Sequence, residues 1–247
     1  MNSVFLEITV DIYFSGYSDM AIGLAMLFGF HYKENFNYPY IARSAGEFWR
    51  RWHISLSTWL RDYVYIHMGG NRGSIIKTCR NIIFVFLCSG LWHGANITFV
   101  CWGLLYGFFI VLENLGLKKA LQNYKALSHV YLIILVIIGW VIFRADNLDY
   151  AMDYLAQMYD FHPNALLMTQ DLDNSMMFAM LVGIVLSYDW RALYKRAIKN
   201  LAKGKRNYHK IFSIAKLTSY VSAMILFVLS IASIISSSHN PFIYFRF

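Results

Sequence analysis

The chain has 247 residues, of which 58% are hydrophobic and 18% aromatic and only 15% charged, a balance that excludes an ordinary soluble domain and fits an all-α polytopic membrane protein. The net charge of +8 does not gather on one face, as nucleic-acid binding would require, but alternates with apolar stretches. Cys79, Cys88 and Cys101 lack the spacing of a zinc site or a disulfide framework, so no metal is expected.

Apolar runs approaching the roughly 20 residues of a spanning helix occur near 4–30, 81–112, 129–143, 175–188 and 217–235. The first lysine is Lys33, so no signal peptide is expected. Between these runs the loops are sorted by charge. Residues 33–80 hold eight Lys/Arg against three acids, 189–216 hold nine against Asp189 alone, and 145–173 hold six aspartates with no basic residue. The positive-inside rule puts the two basic stretches, including the 189–216 loop, in the cytoplasm and the acidic one outside.

Residues 46–67, GEFWRRWHISLSTWLRDYVYIH, differ from the spans. On a helical wheel Phe48, Trp49, Trp52, Leu56, Trp59, Leu60 and Tyr63 share one face while Arg50, Arg51, Arg61 and Asp62 take the other. Such a pattern predicts a cytoplasmic-side interfacial helix, with Glu47 and Arg51 paired at i,i+4. His53 falls at the margin of its apolar face. The following MGGNRGS, 68–74, with Arg72 and the nearby Lys77, offers a basic, glycine-rich loop for a cofactor phosphate, although it lacks the P-loop spacing and also reads as a plain turn.

The run 81–112 must enter from the cytoplasm and return to it, because the loop holding Lys118, Lys119 and Lys125 starts inside and the helix at 129–143 ends outside. This predicts a re-entrant hairpin of two short helices with its bend near Gly90–Asn96, which places His93 deep in the protein. An ionisable side chain at such depth is expensive and marks a site more often than not. Burial favours the neutral imidazole that a general base requires. The competing structural reading has His93 donate a ring proton to a carbonyl and pin two helices. Cys88 lies five residues away, a spacing that points the two side chains to different sides of a helix. The same parity puts both ends of the chain outside, including the terminal FIYFRF.

SGYSDMAIGLAMLFGF, ENFNYPYIARS, FWRRWHISLSTWLRDYVYIHMGGNRG, GLWHGA, GWVIFRA and PFIYFRF, in this order, closely resemble the membrane-bound O-acyltransferases. Within them the likeness is to the alginate O-acetyltransferase branch, related to the D-alanyl transferases of teichoic acid. The resemblance implies a ring of membrane helices with re-entrant and interfacial elements around a narrow tunnel, of which residues 1–247 form the C-terminal part. It implies further that His93 matches the catalytic histidine and His53 the second functional position. No tightly bound cofactor is implied. The cosubstrate is an acyl thioester, acetyl-CoA or an acyl carrier protein, and the acceptor an extracytoplasmic polysaccharide such as alginate.

The implied setting is the bacterial inner membrane, with His53 toward the cytoplasm, lipid around the chain and periplasmic or surface acetyltransferase partners. Asn96 or a backbone N–H at the bend is the expected oxyanion donor. Tyr244, with the only hydroxyl of the last six residues, is a candidate acyl relay, or else part of an aromatic anchor. D-alanyl transfer is the alternative chemistry. A non-catalytic fragment, assembly subunit or small transporter is the alternative class.

Overall fold

The computed structural model describes residues 3–159 and 208–236, together with positions 181, 193, 194 and 196. Among these residues the regular structure is helical without a strand. The chain divides after Tyr188 into two compact units. Tyr244 and the apolar run 175–188, position 181 excepted, lie outside the described residues.

The first unit begins with α1 (Ser3–Leu27), followed by an irregular segment with a single 3-10 turn at Pro39–Ile41. Then come α2 (Ala45–Trp49) and α3 (Ile54–Leu60), the latter widening into a π-type turn at Arg61–Tyr65. Two long helices follow, α4 (Ile75–His93) and α5 (Ile97–Leu112). A second π-type turn, Glu113–Leu117, bends at Gly116 and leads into α6 (Lys118–Leu121). The unit continues with α7 (Lys125–Arg144) and α8 (Leu148–Tyr159), the latter in the acidic stretch. In the second unit α9 (Tyr208–Ser236) covers the apolar run 217–235 and starts inside the stretch expected as a loop.

Three helical segments among the described residues are long and apolar enough to cross a membrane: Ile75–His93, Ile97–Leu121 and Lys125–Arg144. The expectation at 81–112 was two short arms. Here α4 has 19 residues, about 28 Å at 1.5 Å per residue, and each arm is of spanning length by itself.

Small residues let the two arms close on each other. A Cβ at Gly90 would strike the Phe99 carbonyl, and one at Gly103 the Phe86 carbonyl. At the turn Gly94 has φ 146°, in the region that favours glycine, and the Asn96 side chain caps α5 by accepting from the Thr98 N–H at 3.2 Å. With no hydrophobic force between apolar helices in lipid, such backbone approach is the main source of packing energy.

The expected single helix over 46–67 is broken. Arg50–His53 form a turn, and His53 sits at φ 44°, ψ 55°, a left-handed conformation that ends any continuous wheel. Phe48, Trp49, Trp52, Leu56 and Leu60 are buried as the wheel predicts, but Trp59 and Tyr63 are exposed. The predicted pair of Glu47 and Arg51 forms, at 3.0 Å.

The short α2 carries the aromatic core. Phe48 stacks on Tyr106 of α5 with ring centroids 6.1 Å apart, Trp49 meets Trp102 edge-on at 5.4 Å, and Trp52 meets Trp140 of α7 at 5.0 Å. Each such pair contributes about 0.5–1.5 kcal/mol beyond its buried area. Ser44 caps α2 by accepting from the Glu47 N–H, and Glu47 reaches back to the Arg43 N–H, close to a capping box.

Candidate active site

His93 closes α4 at the hairpin turn. Its ring lies 4.9 Å from Trp92, 5.1 Å from Trp102, 4.9 Å from Phe143 and 6.1 Å from Phe99, all centroid to centroid. Three helices therefore build the cage: α4 supplies Trp92, α5 supplies Phe99 and Trp102, and α7 supplies Phe143. Among the described residues neither ring nitrogen of His93 has a hydrogen-bond partner, so the purely structural alternative, a ring proton given to a carbonyl, finds no support there. An imidazole with free nitrogens in an apolar box can take a proton from a bound ligand and return it.

His53 reaches the same place from another element. Its ring meets Trp92 edge to face at 5.8 Å, and Trp92 in turn meets His93 at 4.9 Å, so one indole links the two imidazoles. The left-handed backbone at His53 costs on the order of 1–2 kcal/mol for a residue with a side chain, and the preceding irregular segment holds it. The Ile54 N–H donates to the Asn35 carbonyl at 2.9 Å and the Asn37 N–H to the Arg51 carbonyl at 2.8 Å. The Arg51 guanidinium adds a bond to the Asn37 carbonyl. Burial lowers the His53 pKa below its ordinary value, so the ring is neutral at physiological pH.

Of the other candidates, Asn96 lies at the same turn as the N-cap of α5, while Arg72 and Lys77 lie elsewhere. Arg72 and Lys77 are exposed, and Lys77 is sixteen residues before His93 on α4, about 24 Å along the axis. Their loop is not loose: buried Asn81 donates from Nδ2 to the carbonyls of Met68 and Gly70, at 3.1 and 2.9 Å. Asn96 is largely engaged in structure. Its Oδ1 serves the cap of α5, and Nδ2 donates to the Asp146 carbonyl at 3.0 Å, leaving one amide proton for an oxyanion. No group of three or more metal-ligating side chains occurs among the described residues.

Sequence reasoning missed Glu113. This buried carboxylate at the end of α5 accepts from the N–H groups of Ala45 and Gly46 and from the Tyr131 hydroxyl at 3.2 Å, tying the start of α2 to α5 and α7. In the sequence it is simply the charge that follows the apolar run, and nothing local signals its partners. The aromatic walls were partly legible: Trp102, Tyr106 and Ile110 recur at i, i+4 and i+8, one face of α5.

A model of the membrane-bound O-acyltransferase family matches residues 1–152. The chain is 40% identical to a probable alginate O-acetylase of Azotobacter vinelandii over 270 aligned residues, 98% of this chain and 54% of that protein. It is 43% identical to a peptidoglycan O-acetyltransferase of Helicobacter pylori, over 59% of this chain and 28% of the relative. A teichoic acid D-alanyltransferase of Bacillus subtilis is 32% identical, over 45% of the chain and 30% of the relative. The chain spans about half the length of the curated alginate O-acetylases it matches end to end.

Proposed function

Because this integral membrane chain belongs to the membrane-bound O-acyltransferase family, we propose that it takes part in moving an acyl group, most simply acetyl, from a cytoplasmic thioester to a hydroxyl of an extracytoplasmic, alginate-like polysaccharide. The observation that carries this reading is the His93 imidazole, caged by four aromatic rings with neither nitrogen bonded among the described residues, and with His53 one ring away. The alginate O-acetylase relatives, similar along nearly the whole chain, favour acetyl and a uronic-acid polymer.

In the step itself the neutral imidazole of His93 removes the proton of the acceptor hydroxyl as the oxygen attacks the thioester carbonyl. A tetrahedral oxyanion forms, which the remaining Asn96 amide proton and the backbone N–H groups of the turn stabilise. The attack has formed the ester C–O bond; the intermediate then collapses as the oxyanion re-forms the carbonyl and the C–S bond breaks, and the departing thiolate takes the proton back from His93. Arg72 and Lys77 hold phosphates of acetyl-CoA or of an acyl carrier's phosphopantetheine at the cytoplasmic end of α4, and the flexible arm carries the thioester toward His93.

The depth of His93 belongs to the same proposal, as does the sidedness: His53 looks toward the cytoplasmic side of the inner membrane and the C-terminus lies outside. An indirect route to the same polymer would acylate the Tyr244 hydroxyl first, from which periplasmic acetyltransferase partners take the acyl group onward; mass spectrometry of a trapped Tyr244 ester would reveal it. D-alanyl transfer is the second reading, favoured by the similarity to the Bacillus subtilis relative.

The test is transfer of labelled acetyl from acetyl-CoA, in lipid vesicles, to alginate oligosaccharide. Labelled ester should form with the unmodified chain and be lost in His93→Ala. Full transfer by H93A would overturn the assignment, and transfer only from a D-alanyl-loaded carrier protein would favour the second reading.

A further inference from the structure

We propose that Ser55, itself held by Asn35, fixes His53 as the Nδ1–H tautomer, so that Nε2 presents a lone pair and accepts a hydrogen bond from a second hydroxyl of the acceptor, beside the one that His93 deprotonates. The proposal deepens the acyl-transfer reading above and rests on it for the identity of the hydroxyl.

The tautomer follows from counting protons. The Ser55 backbone N–H can only donate, and it lies 3.0 Å from the Asn35 side-chain oxygen, which fixes that atom as the Oδ1 acceptor. The Ser55 hydroxyl lies 2.9 Å from the same Oδ1. An amide oxygen has no proton to give, so the hydroxyl spends its single proton there. Towards His53 only the lone pairs of Oγ remain, and Nδ1 is 3.3 Å from Oγ. That contact is a hydrogen bond only if Nδ1 carries the proton.

Burial of the ring keeps the second proton off, in agreement with the lowered affinity of His53 for protons. The neutral ring then has its lone pair on Nε2.

Asn35 is itself anchored. Its Nδ2 contacts the Ser18 hydroxyl of α1 at 3.4 Å, and its backbone carbonyl accepts from the Ile54 N–H at 2.9 Å. One asparagine thus holds both the left-handed turn that aims His53 and the hydroxyl that sets its tautomer. The chemical consequence is specific: at Nε2 His53 accepts hydrogen bonds and cannot donate to an oxyanion. Ser55 and Asn35 are positioning residues, acting only through the imidazole.

The experiment is 15N NMR of the full chain in lipid with labelled histidine, the His53 resonances assigned by their loss in His53→Gln, alongside steady-state transfer kinetics. Above pH 7 the Nε2 of His53 should resonate as an unprotonated nitrogen in the unmodified protein and in Ser55→Thr, and Ser55→Ala should show a mixture of tautomers. Ser55→Ala should also raise the acceptor KM about five- to tenfold, the worth of one neutral hydrogen bond, with the donor KM unchanged and recovery in Ser55→Thr.

A protonated Nε2 in the unmodified protein, or a Ser55→Ala spectrum identical to it, overturns the tautomer assignment. A change confined to the donor KM overturns the acceptor role. Failure of the parent reading looks different: His93→Ala would then transfer acetyl normally while the His53 resonances stayed as stated.

Discussion

Glu113 accepts a hydrogen bond from the backbone N–H of Ala45, sixty-eight residues earlier in the chain. The carboxylate sits at the opening of α2, where unsatisfied N–H groups and the helix dipole favour negative charge. Everything the aromatic core asks of Phe48, Trp49 and Trp52 depends on that helix starting in the right place.

Glu113→Ala would strand two backbone donors and the Tyr131 hydroxyl in a buried site. The expected cost is on the order of 3 kcal/mol, from about 1–3 kcal/mol for each donor left unsatisfied. A thermal unfolding scan in detergent should show a marked fall in Tm. Glu113→Gln, which retains an acceptor oxygen, should lie between the two, and an unchanged Tm in the alanine variant would deny the clasp any structural weight.

The hairpin gives a second expectation. Gly103→Ala adds a methyl where the Phe86 carbonyl already stands, and Gly90→Ala meets the Phe99 carbonyl. Neither obstacle is the flexible end of a side chain. Forcing the arms apart should cost about 1–3 kcal/mol or more and also displace the His93 cage, which uses residues from both arms. Gly23→Ala in α1, where nothing lies within 4 Å of the new methyl, is the control and should be neutral or slightly stabilising. Equal Tm values for all three would contradict the close helix contact.

These contacts mark what the sequence could and could not reveal. The hairpin and His93 were legible because a lone imidazole among glycines in an apolar run is a strong local signal. The break before α3 was not, because a helical wheel assumes continuous periodicity. The left-handed His53 is imposed by Asn35 and Asn37, whose bonds to residues 51–55 are tertiary. Within α3 and its π-type turn the wheel holds for Leu56 and Leu60, which are buried, and fails for Trp59 and Tyr63, which are exposed. Glu113 was hidden for the same reason, its partners being far away in sequence.

Acidity should act through His53. Burial holds its pKa below the unfolded value near 6.5, so below that pH the unfolded chain binds a proton that the folded chain refuses. The stability tied to this neutral ring is therefore complete above about pH 6.5 and is lost as the pH falls through the folded pKa. Measured as Tm against pH, the unmodified protein should lose stability on acidification more steeply than His53→Gln. The two curves should run parallel above neutrality, and parallel curves throughout would show that His53 does not resist protonation.

Donor binding separates the two ends of α4. If Arg72 and Lys77 grip phosphates of the thioester donor, Arg72→Gln and Lys77→Gln should each raise the KM for acetyl-CoA severalfold while leaving kcat nearly unchanged, since the lost contact is the same in ground and transition states. The effect should weaken with added salt, because both side chains are exposed and their attraction is screened. Asn81→Ala, which frees the carbonyls of Met68 and Gly70, should reproduce the KM rise without removing a charge, because the loop would lose its shape. A fall in kcat with constant KM in the charge variants would instead place the donor phosphates elsewhere and leave this loop a structural turn.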